Sequence, residues 1–89
     1  MAQIKNDRLL SAIRKVLQEL RAKTGMTQEA VILDIAETKK TTINLARIET
    51  GDGNISPSTI YLLCEYYKIS ISDFFRRVED LDKTLKIKQ

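Results

Sequence analysis

Histidine is absent from the 89 residues, cysteine and proline occur once each, and glycine three times. Without histidine the commonest general acid–base is missing. The lone Cys64 leaves no cysteine pair for zinc and no partner for an internal disulfide. Three scattered glycines make no phosphate-cradling loop, and no nucleophile–base constellation is visible. No apolar run approaches the ~20 residues that a membrane-spanning helix needs. The opening Met-Ala-Gln-Ile-Lys-Asn-Asp lacks the apolar stretch of a secretory signal. These absences predict a non-enzymatic chain without metal or cofactor, in a reducing compartment, with a cytoplasmic location.

Charge is not strongly one-sided either: 15 basic and 12 acidic side chains leave a net charge of +3. That balance permits nucleic-acid binding without demanding it. Its distribution is uneven. Residues 1–25 carry six basic and two acidic side chains, whereas residues 26–55 carry three basic and five acidic. With 43% hydrophobic and 30% charged residues, the chain has the composition of one small globular domain over 1–89, with a thin core.

Five helical segments are predicted, so the fold class is all-α. Leu9, Leu10, Ile13, Val16, Leu17 and Leu20 form one apolar stripe, which places helix one over Asp7–Lys23. Gly25 follows as its left-handed stop. Thr27 caps helix two, which buries Val31, Ile32 and Ile35 and loses definition near Ala36. Thr41, or alternatively Thr42, caps helix three, and Gly51 ends it, with Leu45 and Ile48 inward. Asp52-Gly53-Asn54 is turn chemistry. Ser56-Pro57 starts helix four, which buries Ile60, Leu63, Cys64 and Tyr67. Ile69 plugs the core, and Ser70-Ile71-Ser72-Asp73 has the form of a capping box for helix five, with Phe74, Phe75 and Val78. The tail, 79–89, fits helical extension through Leu81 and Leu85 or a short strand through Leu85 and Ile87. Extension is the preferred reading.

Two short helices joined by a tight connection, the second with Thr42, Asn44 and Arg47 outward, suit insertion into a DNA major groove. Arg can bind guanine in bidentate fashion, Asn can do the same to adenine, and Thr or Ile can pack on a thymine methyl. Thr42, Ile43, Asn44 and Arg47 are therefore the candidate base-contacting residues. Ile43 is equally suited to the core, and Asn44 to capping. Arg47 suits a base or a phosphate. Gln28, in the first turn of helix two, and Lys39, Lys40, Thr41 and Asn54 are the candidate phosphate contacts, weighed against ordinary solvated positions. Cys64 reads as a core thiol. Tyr61 and Tyr66 fall off the main stripe and offer a dimer contact or ordinary packing. Arg76 and Arg77 read as a solvated face.

Taken in order, Leu20-Arg21, Gly25-Met26-Thr27-Gln28-Glu29, Ala46-Arg47-Ile48-Glu49-Thr50-Gly51, Asn54-Ile55-Ser56 and Ile69-Ser70-Ile71-Ser72-Asp73-Phe74-Phe75 resemble the lambda-repressor-like (Cro-type or Xre-type) helix-turn-helix family. The resemblance covers about 13–75, with helix one extended N-terminally. It implies a compact five-helix domain whose third helix enters the major groove. It also implies an ion pair between Arg21 and Glu49, a homodimer with helix five as a common dimer element, and a bacterial, phage or mobile-element origin. The chain departs from the family in about three extra residues around Ala36–Lys40, in Ile32 where a small residue is usual, and in the missing turn glycine. It also carries Asp52-Gly53 where a basic residue is common. The expected function is a sequence-specific double-stranded DNA-binding regulator, a repressor reading a palindromic operator as a dimer. The alternatives are the antitoxin of a toxin–antitoxin pair, with the toxin as protein partner, or a helix-turn-helix scaffold used for protein binding.

Overall fold

The apolar stripe of the first segment forms an 18-residue helix, α1 (Asp7–Thr24), in a computed structural model that describes residues 4–51 and 53–87. Asp52 of the expected turn, the Met1–Gln3 start and the Lys88–Gln89 end lie outside the described residues. Asn6 caps α1 by accepting from the Leu9 N–H, and Gly25 stops it at φ 73°, where a Cβ would be strained. The following helices are α2 (Gln28–Lys39), α3 (Leu45–Thr50), α4 (Pro57–Tyr66) and α5 (Ile71–Leu81), and a 3-10 turn spans Lys83–Leu85. The fold is all-α, with no strand among the described residues.

Leu17, Ile35, Leu45, Leu63 and Phe74 meet in the core at essentially zero exposure. Burying each such side chain contributes roughly 1.5–3 kcal/mol, set against the entropy of ordering the chain. Helix α1 is the central rod: it packs on α5 and α3, while α2 packs on α3 and α4 on α5. The result is flat, with Cα extents of 42 × 33 × 18 Å.

Four local expectations need correction. Helix α2 does not fade at Ala36 but continues to Lys39, because nothing breaks it. Thr38 Oγ1 donates back to the Asp34 carbonyl at 2.8 Å, and Lys39 is tied to Glu65 of α4. Helix α3 is capped by neither Thr41 nor Thr42. Its cap is Asn44, whose Oδ1 accepts from the Arg47 N–H at 3.1 Å. The capping box of α5 is half closed. Ser70 Oγ accepts from the Asp73 N–H, but the Asp73 carboxylate turns to Arg76 at 2.9 Å. The tail extends α5 only to Leu81 and forms neither a longer helix nor a strand among the described residues. Asp82 breaks the helix and caps the 3-10 turn, which folds Leu85 back onto the core.

Candidate nucleic-acid interface

Helix α3 has an inner and an outer flank. Leu45 and Glu49 are buried inward, Ile48 is half-buried, and Ala46, Arg47 and Thr50 are exposed. The inner flank is fixed by one carboxylate. Glu49 is 1% exposed, and a buried charge is tolerable only when paired and hydrogen-bonded. Arg21 of α1 supplies both: its Nε donates to Glu49 Oε2 at 2.8 Å and its Nη2 to Oε1 at 3.0 Å. Gln28 Nε2 of α2 adds a third bond to Oε1 at 2.8 Å. Gln18 Nε2 grips the Glu49 carbonyl at 2.6 Å, and Arg21 Nη1 reaches the Met26 carbonyl at 3.0 Å. Three helices are thereby tied at one residue, and among the described residues α3 is held by its inner side alone.

The connection Lys40–Asn44 is irregular rather than helical. It starts with Lys40 in the left-handed region (φ 56°), a conformation glycine would adopt at less cost. Lys40, Thr41, Thr42 and Asn44 are exposed. Ile43 is half-buried and packs against the core, so of its two readings the structure places it on the packing side. The α3 stop is not a left-handed glycine. Gly51 has φ −74°, and a Cβ there would lie 2.4 Å from the Arg47 carbonyl oxygen, so close approach is what requires glycine.

Among the expected phosphate contacts, two side chains are engaged elsewhere. Gln28 points inward to Glu49, and Lys39 Nζ pairs with Glu65 Oε1 at 2.8 Å. Asn54 is exposed and donates weakly, at 3.4 Å, to the Ile4 carbonyl. Lys40 and Thr41 remain exposed beside the start of α3.

A groove of about 280 Å³ brings Thr42, Asn44, Arg47 and Asn54 together with a residue the sequence did not single out, Arg14 of α1. Arg14 is half-buried and its Nη2 donates to the Gly53 carbonyl. Gln18, on the next turn of α1, was missed in the same way. Both residues lie between the apolar positions of the α1 stripe, where a helical wheel marks a flank of the buried face. That signal says that they border the core, not what they touch.

Between α4 and α2, Tyr66 Oη donates to Asp34 Oδ2 at 2.6 Å, and burial followed by that bond pushes its pKa to about 12. Tyr67 is also pushed to about 12, by burial first and then by the charge of Glu49. Burial likewise raises the Cys64 thiol. These groups are protonated parts of the scaffold near neutral pH.

No family model, no curated protein and no solved structure matches this chain. No helix among the described residues is long and apolar enough to cross a membrane.

Proposed function

We propose that the chain is a helix-turn-helix protein that binds double-stranded DNA, reads sequence through the edge formed by Thr42, Asn44 and the outer flank of α3, and acts as a transcriptional repressor. One observation carries the reading: α3 is anchored by its inner side alone, through Glu49, while its start and outer flank stay exposed around a groove holding Arg47. A reading element needs that combination. It must be rigid enough to hold register and bare enough to enter a groove.

The division of labour differs from the one drawn from sequence. Thr42 and Asn44 face base edges, Asn44 through the amide nitrogen left over from capping. Lys40 and Thr41 face the backbone. Ile43 serves packing, Gln28 steadies Glu49, and Lys39 steadies α2 against α4. A homodimer would place two such edges on half-sites about one helical turn apart.

Selection from random-sequence duplex, followed by native mass measurement of the selected complex, tests this. Enrichment of a palindrome carrying two chains is the expected result. No enrichment, together with no duplex binding in ~25 mM salt, where phosphate contacts are strongest, ends the DNA reading. A second reading, a scaffold for protein binding, draws support from the commitment of Gln28 and Lys39 to partners within the chain, and it would then be the one to pursue.

A further inference from the structure

We propose that Arg14 and Arg47 together hold one phosphate group in the groove between α1 and the start of α3, and that the duplex backbone supplies it. The inference rests on the DNA reading and names the ligand of one part of that surface. Both guanidinium groups converge on Gly53. Arg14 Nη2 donates to its carbonyl, and Arg47 Nη2 lies 3.9 Å from where a Gly53 Cβ would be. Two like charges brought to one residue repel, and the interaction is stronger where the surroundings are partly buried. Among the described residues neither arginine pairs with a carboxylate, and no carboxylate lines the groove.

Arg14 is the more exacting of the two. It is half-buried, its Nε is buried with no hydrogen-bond partner among the described residues, and its partner there is a neutral carbonyl. A half-buried cation held this way carries a desolvation cost that a bound anion offsets. The rest of the lining suits a tetrahedral oxyanion, because Asn54 and Thr59 add amide and hydroxyl donors. The loop after Gly51 has no basic side chain, so Arg14 brings from α1 the cation that the loop does not provide.

Binding of the full chain to a mixed-sequence duplex, measured across a salt series, tests the assignment. Arg14→Gln should weaken binding about tenfold at low salt, as loss of a charge-assisted hydrogen bond does. R14Q/R47Q should flatten the slope of log K against log salt by about 0.9, the value for one shared phosphate. A double-variant loss of about 1.8, the value for two phosphates, overturns the shared site, and so does an unchanged slope in a protein that still binds duplex. Should Arg14→Gln fail to fold by circular dichroism, Arg47→Gln, at an exposed position, carries the same expectation of weakened binding. Inorganic phosphate, titrated while arginine side-chain resonances are recorded, separates the sources. If the wild type binds no duplex but phosphate shifts the Arg14 and Arg47 signals, the DNA reading and the backbone source both fall, and a free-phosphate site stands in their place. If neither duplex nor phosphate binds, the site itself is refuted.

Discussion

Lys40 occupies a backbone conformation that costs a side-chain-bearing residue about 1–2 kcal/mol, at the end of a helix where glycine is favoured. Lys40→Gly should therefore raise stability by about 0.5–1 kcal/mol, once glycine's greater freedom in the unfolded chain is subtracted. If the lysine serves a phosphate, the same change lowers duplex affinity and its salt dependence while the melting temperature rises. Chemical denaturation and a binding titration on one preparation would read both. A variant that is more stable and binds equally well would remove Lys40 from the interface. Residue-scale legibility varied for a physical reason. Thr41, Thr42 and Asn44 are all competent caps, and sequence alone does not rank them. The ranking comes from Ile43, which packs against the core from a non-helical position just before the helix begins at Leu45. Gly51 was legible as a stop, but its requirement is contact with Arg47 rather than a positive φ.

At the scale of elements, the attachment of α3 depends on Glu49. Removing one partner of a buried pair leaves the other charge uncompensated, at a cost of roughly 3–5 kcal/mol. Arg21→Ala should lose about that much in urea unfolding, because it strands a carboxylate only 1% exposed, and Glu49→Ala less, because the arginine left behind is 23% exposed and can regain water. The double variant should lose much less than the sum. Additive losses would mean that the pair contributes no coupling. The two residues were legible from the resemblance, but the third and fourth members, Gln28 and Gln18, were not. Gln28 sits where a phosphate contact is expected, and only the distance from α2 to α3 shows that its amide is already committed. The starts of α2, α4 and α5 were legible because Thr27, Ser56-Pro57 and Ser70 each offer a hydroxyl cap just before an apolar stripe. The end of α5 was not, because Leu81 and Leu85 continue the helical period across Asp82. The overlooked signal was Asp82-Lys83-Thr84, an Asx-type cap: Asp82 Oδ1 accepts from the Thr84 N–H at 3.1 Å and from its hydroxyl at 2.6 Å.

For the whole molecule, that same Asp82 joins the two ends of the described chain. Arg8 Nε and Nη2 grip its carboxylate at 2.9 and 3.1 Å, across 74 positions of sequence. The hydrogen bonds from Arg8, then those from Thr84, hold the Asp82 pKa down to about 2 from an ordinary 3.8. A carboxyl depressed on folding stabilises the closed arrangement above its ordinary value, and that contribution fades as pH falls from 3.8 towards about 2. Carbon-detected NMR titration should therefore show Asp82 titrating near 2. Arg8→Ala should move the midpoint up towards 3.8, with faster amide exchange at Thr84 and Leu85. An unmoved midpoint in that variant would show that the clasp does not govern the tail.

On the DNA reading proposed above, the one-sided mooring of α3 also bears on how the target could change. Ala46 and Thr50 face solvent, and the only side-chain bond between them is the local one from Thr50 Oγ1 to the Ala46 carbonyl. Neither contributes to the Glu49 tie. New letters at these two places alter what the flank says without loosening what holds it, so recognition could drift while the architecture stays put.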